Sequence, residues 1–290
     1  MSTLVEVRGL TVDFPGKGFR AAPLRALHDV SLDIVAGETL GVVGESGSGK
    51  TTLGRAILGL APITAGTVTF DGRDITHLER RERRALASDI QVVFQDPYSS
   101  LSPTMTIESI LTEPLRANGM SKTDARDKVG DLLERVGLPA VLRSRRPREF
   151  SGGQRQRIAI ARALTLDPRV IICDEPVSAL DLTTQARVLD LFIDIQDRTG
   201  VAYLFISHDL AVVRYISHRV AVLYRGEIVE QGDAAQVTSR PEHPYTQQLL
   251  LAAPLSDPDA QRRRREQRHA LRAAQARSVA STTPQHPEAS

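Results

Sequence analysis

The sequence predicts an α/β fold built on a parallel sheet, and three features carry that reading. An apolar run, Thr39 to Val43, ends at Gly44 in a glycine-rich turn, and the proline-free stretch Lys50 to Leu60 follows with Leu53, Ile57, Leu58 and Leu60 near helical spacing. Two short apolar runs, Val170 to Cys173 and Ala202 to Ile206, flank a helical stretch, Gln185 to Arg198, which is the β–α–β rhythm of parallel strands. A composition of 41% apolar and 25% charged residues over 290 positions is that of a globular chain long enough to bury a core.

In chain order, Val5, Val7, Leu10, Val12 and Phe14 give part of a period-two pattern, so residues 3–43 read as short strands. Thr67 to Phe70 ends in the turn Asp71-Gly72, and an arginine-rich segment leads to the apolar strand Ile90 to Phe94. Residues from about 96 to 163 read as a mostly helical subdomain: Ala125, Val129, Leu132, Leu133 and Val136 recur at helical spacing, with Ser121 and Asp124 placed to cap and charge the start. After the α/β pattern resumes, a segment at about 241–254 closes the main body. From about Leu255 the chain turns to Arg, Gln, Ala, Ser and Pro, including Arg262 to Arg265. That tail, 255–290, is expected to be a solvated, flexible end; contact with anionic lipid or a partner is the alternative.

A net charge of +2, from 37 basic and 35 acidic side chains, offers no global field to recruit nucleic acid. The single cysteine, Cys173, excludes an internal disulfide and any four-cysteine metal site, and points to a reducing compartment. No apolar run of about 18 residues and no leader pattern occur, so a cytosolic chain is expected, with any membrane link made by a partner protein.

Gly44-Glu45-Ser46-Gly47-Ser48-Gly49-Lys50-Thr51 fits G-x-x-x-x-G-K-[ST], in the required setting of strand before and helix after. Such a P-loop converges backbone N–H groups on phosphate at a helix N-terminus. Lys50 is suited to the β and γ phosphates of ATP and Thr51 to Mg²⁺. A second site lies further along: the strand ending in Asp174-Glu175 offers one carboxylate to the Mg²⁺ shell and one to polarise a water attacking the γ-phosphate.

Phe150-Ser151-Gly152-Gly153-Gln154-Arg155-Gln156-Arg157, just upstream, resembles the signature motif of the ABC transporter ATPases, with Phe where Leu is usual. The resemblance covers about residues 4–254. It implies a P-loop NTPase (RecA-like) core with an antiparallel β subdomain and an α-helical signature subdomain. It also implies that Ser151, Gly152, Gly153 and Gln154 close on ATP held by another protomer. By the same resemblance Gln95 links Mg²⁺ and γ-phosphate to the membrane partner, His208 contacts the γ-phosphate, and Thr52 continues the phosphate site. Asp181, in Ser178-Ala179-Leu180-Asp181, falls in the loop that couples the two sites. Phe14 stands where the family stacks an aromatic on adenine; Phe19 competes for that role, and either could belong to the core.

Phe94-Gln95-Asp96-Pro97-Tyr98-Ser99-Ser100-Leu101-Ser102-Pro103, Thr52-Leu53-Gly54-Arg55 and Pro241-Glu242-His243-Pro244-Tyr245-Thr246 are similar to the peptide and nickel importer branch, and to the second of its paired ATPases. This implies work at the cytoplasmic face of the cell membrane, with membrane-spanning permease subunits, a second ABC ATPase of the same or a related kind and, indirectly, an external substrate-binding protein. Nucleic acid is not expected. The alternatives are a soluble, non-transport ABC ATPase, and an importer for nickel or another small solute.

Overall fold

The computed structural model describes residues 2–16, 22–96 and 100–252. Two sheets organise them. The first is antiparallel, in the order β2-β1-β4-β5, from β1 (Thr3–Phe14), β2 (Leu24–Val35), β4 (Ala65–Phe70) and the short β5 (Arg73–Asp74). The second has the order β10-β9-β3-β8-β7-β6, from β3 (Thr39–Val43), β6 (Ile90–Val93), β7 (Val170–Asp174), β8 (Ala202–Ser207), β9 (Arg219–Tyr224) and β10 (Glu227–Asp233). Its strands run parallel except β10, which is antiparallel to β9.

The interior parallel strands β3, β7 and β8 are buried at every residue, and the apolar side chains of β7 and β8 alternate between two cores. In β7, Ile171 and Cys173 enter one core while Val170 and Ile172 enter the other; Tyr203 and Phe205 of β8 divide in the same way from Leu204 and Ile206. The period of two thus makes one sheet serve two layers. On one face lie α1 (Lys50–Ile57) and the antiparallel sheet. On the other lies α6 (Leu182–Thr199), whose Phe192 meets the Tyr203 and Phe205 rings edge-on at 5.4 and 5.6 Å.

The remaining helices are α2 (Arg80–Leu86), α3 (Ile107–Ala117), α4 (Lys122–Arg135), α5 (Gly152–Ala163), α7 (Leu210–Ile216), α8 (Ala234–Ser239) and α9 (Pro244–Ala252). Helices α3 to α5 form the helical region and pack into the same core as α6. Ser121 caps α4 as its sequence suggests, its Oγ accepting from the Asp124 N–H at 3.1 Å.

Sequence spacing places β3, α1, β4, β6, α4, β7, α6 and β8 within a few residues. The exceptions are β1 and β2, each 12 residues long where short strands are expected, α2, a helix inside the arginine-rich segment, and β5, α7, β9, β10 and α8, which the spacing does not mark. Register shifts along the β1–β2 pair break the alternation that would have announced such long strands.

Candidate nucleotide site

Four neighbouring parallel strands, in the order β3-β8-β7-β6, end on one edge of the sheet. Their carboxyl-terminal segments are therefore brought together: Gly44 to Thr51 after β3, His208 after β8, Asp174-Glu175 at the end of β7, and Gln95 after β6. Carboxyl ends of parallel strands are where open α/β sheets bind ligands. A cleft of about 610 Å³ opens there, lined among others by Phe14, Ser46, Gly47, Gly49, Lys50, Thr51, Thr52, Gln95 and Glu175.

The loop is shaped by two of its glycines. A Cβ on Gly44 would lie 2.2 Å from the Leu223 carbonyl oxygen, and Gly49 holds φ at 109° directly before α1. Gly226 N–H braces the loop by donating to the Ser48 carbonyl at 2.9 Å. Inside it, the Lys50 ammonium donates to the carbonyls of Gly44 and Glu45 at 2.8 and 2.9 Å. Burial lowers the Lys50 pKa from its ordinary value, opposed by the carboxylates of Glu175 and Asp174. Ser48 Oγ is buried with no hydrogen-bond partner.

At the start of α1, Thr51 Oγ1 donates to Asp174 Oδ1 at 3.0 Å. Burial raises the Asp174 pKa, and the Thr51 hydrogen bond acts against it. A hydroxyl and a carboxylate meeting at one point suit a hard cation that keeps water ligands, so the donor set fits Mg²⁺. Among the described residues no group of three His, Cys, Asp or Glu could hold a metal. Further ligands to an ion here would come from Gln95, the nucleotide and water.

Glu175 is the junction of the cleft. Its φ of 50° is left-handed, an unusual conformation for a side-chain-bearing residue, and its N–H donates to the Ile206 carbonyl at 2.9 Å. Its Oε2 accepts from Gln95 Nε2 at 3.2 Å and lies 3.1 Å from His208 Nδ1. Residues 33 and 80 positions away thus converge on one carboxylate oxygen.

The signature residues are not in this cleft. Ser151 begins α5 with a reciprocal cap: its Oγ accepts from Gln154 N–H and its N–H donates to Gln154 Oε1. Gly152 and Gly153 face Leu180 and Thr184, and Asp181 caps α6 through the Thr184 N–H at 3.0 Å. That hydrogen bond holds the Asp181 carboxyl below its usual range. Phe14 lines the cleft; Phe19, residues 97–99 and the arginine-rich tail lie outside the described residues. Leu24, Arg25, Ala26 and Arg225 also line the cleft and were not expected there, since only long-range pairing brings them to it.

A glycine-rich loop between strand and helix, an Asp-Glu pair, and a glutamine and a histidine that meet one oxygen of that pair, all at the ends of adjacent parallel strands, define the class: a P-loop nucleotide-binding fold. Comparison with known proteins narrows it. The profile of the family described as ABC transporter matches residues 27–178, and that described as oligopeptide/dipeptide transporter, C-terminal region, matches residues 229–278. A putative peptide import ATP-binding protein of Brucella ovis is 52% identical over 262 residues, covering 90% of this chain and 82% of that protein. The glutathione import ATP-binding protein GsiA of Salmonella typhi is 50% identical over 267 residues, which are 90% of this chain and 43% of GsiA.

Among solved structures, cbiO1 of Clostridium perfringens, described as part of the ABC transporter complex cbiONQ, superposes with a TM-score of 0.74 at 25% identity, covering 83% of this chain and 92% of that one. The dimeric post-hydrolysis state of the ATP-binding cassette MJ0796, bound to ADP and Pi, gives 0.71 at 30% identity, covering 80% and 99%. The chain belongs to the ABC transporter ATP-binding family and is an ATPase of that family. No helix among the described residues is long and apolar enough to cross a membrane.

Proposed function

We propose that this chain hydrolyses ATP to drive an importer of di- and oligopeptides, paired with a second ATPase and seated beneath membrane-spanning permease subunits at the cytoplasmic face. The observation that carries the ATPase mechanism is the sharing of Glu175 Oε2 by Gln95 and His208 beside a cleft lined by Lys50 and by Thr51, whose hydroxyl is bonded to Asp174. Support for the substrate class comes from the match of residues 229–278 and from relatives named for peptide and glutathione import, glutathione being itself a small peptide.

Phosphates entering the loop draw the Lys50 ammonium from the carbonyls of Gly44 and Glu45, and backbone N–H groups from Ser46 to Thr52 close on them. Thr51, Asp174 and Gln95 are the residues that would hold Mg²⁺, which neutralises phosphate charge when bound. Gln95 and His208 turn toward the γ-phosphate and release Glu175, freeing its carboxylate to take a proton from the attacking water. Phe14 stacks on adenine.

Ser151 to Gln154 cap the γ-phosphate of the nucleotide on the opposing protomer, and Asp181 lies between the two sites. Their absence from the lining of this chain's own cleft supports a sandwich of two protomers, and the MJ0796 cassette is described as dimeric. Loss of the γ-phosphate removes the bridging contacts and opens the pair. The segment after Gln95 passes the motion to the permease, with an external binding protein delivering the peptide.

Glu175→Gln is expected to bind ATP normally, to hydrolyse it about 10²- to 10⁴-fold more slowly and to run as a dimer in ATP by light scattering. Lys50→Ala is expected to lose ATP binding by calorimetry. Undiminished turnover by the first variant removes Glu175 from its role; full affinity in the second removes the phosphate loop. Co-purification of the chain with multi-span membrane proteins, and ATP-dependent peptide uptake by the reconstituted complex, test the transport reading.

A further inference from the structure

The His243-Pro244-Tyr245 segment has no chemistry that its spacing reveals, yet the fold seats it against the phosphate loop. Tyr245, in the first turn of α9, is 6% exposed, and its hydroxyl oxygen accepts a hydrogen bond from the Glu45 N–H at 2.9 Å. Burial pushes its phenol above the ordinary value, so the hydroxyl stays neutral through the physiological range. Its ring lies against Tyr224, centroids 4.1 Å apart, and the Arg225 guanidinium, which lines the cleft, sits 5.1 Å from the Tyr224 centroid.

The turn before α9 is fixed in its own right. Glu230 accepts from the N–H groups of Glu242 and His243 at 2.9 and 3.1 Å, and His243 Nδ1 accepts from the Tyr245 N–H at 3.2 Å. Together with the Gly226 bond to Ser48, two peptides of the loop are held from outside by the C-terminal third of the chain.

We propose that Tyr245 is a positioning residue for ATP binding: its hydroxyl pins the entry of the phosphate loop, so the loop is ordered before nucleotide arrives. A binding loop ordered in advance spends less of its interaction energy on ordering, and the gain appears in affinity rather than in the chemical step. The proposal rests on the reading of Gly44 to Thr51 as the phosphate cradle.

The test is calorimetric titration of the full chain with ATP and magnesium, beside ATPase kinetics. Tyr245→Phe keeps the ring against Tyr224 and removes only the hydroxyl. It is expected to weaken ATP binding about five-fold, the effect of one lost hydrogen bond, to raise KM in step, and to leave kcat near wild type. Leu249→Ala, in the same apolar cluster and with no side-chain group able to hydrogen-bond the loop, is expected to lower Tm and leave ATP affinity unchanged. Wild-type affinity in Tyr245→Phe, while Lys50→Ala has lost binding, overturns the proposal alone. Equal weakening by Leu249→Ala overturns it too, by showing that any loosening of α9 suffices. Retained binding in Lys50→Ala removes the phosphate cradle and the proposal with it.

Discussion

Asp174 meets two opposed demands, because a carboxylate suited to a cation must stay charged while buried beside Glu175. Burial raises its folded pKa above the ordinary 3.8. Its contribution to stability is therefore fully present below 3.8 and lost as pH rises through the raised folded value, leaving a net cost at neutral pH. Asp174→Asn keeps an oxygen for the Thr51 hydroxyl and removes the charge. In the nucleotide-free protein it is expected to raise Tm at pH 7, the gain shrinking toward pH 4 in a calorimetric pH series. A lowered Tm at pH 7 would show the carboxylate to be stabilising. The site's contiguous motifs, Gly44 to Thr51 and Asp174-Glu175, are legible in sequence because local backbone geometry sets their chemistry. Tyr245 against the loop, and Arg225 and Leu24 in the cleft, are not, because only the fold brings them there.

Among elements, α5 has its beginning written in four residues. The reciprocal cap between Ser151 and Gln154 satisfies N–H groups that the first turn leaves open. Ser151→Ala is expected to cost about 1 kcal/mol of stability through the cap, read by urea denaturation with an unchanged slope. If Ser151 also closes on the opposing nucleotide, the same variant in a Glu175→Gln background reduces ATP-driven dimerisation beyond what that stability loss explains. Helix α6 extends from Leu182 to Thr199 where apolar spacing marks Gln185 to Arg198; the extra turn is set by the Asp181 cap, which hydrophobic periodicity does not report. The buried strands are legible from their continuous apolar runs, whereas β10, largely polar and half-exposed at the sheet edge, carries no such signal.

On the scale of the molecule, the central sheet belongs to both large cores at once, since β7 and β8 send alternate side chains to opposite faces. Neither layer can open without uncovering the other. Thermal unfolding of the nucleotide-free chain is expected as a single calorimetric transition, with the helical region melting together with the antiparallel sheet. Two separated transitions would mean that α3 to α5 fold as an independent unit.

The one thiol in the chain, Cys173, is wholly enclosed in the central sheet, and its pKa is pushed far upward by that enclosure. Thiolate is the reactive form, so the native protein should resist alkylating dyes that the denatured chain takes up at one equivalent. The unaltered protein is thus a ready background for attaching a single spin label or fluorophore at a newly introduced surface position.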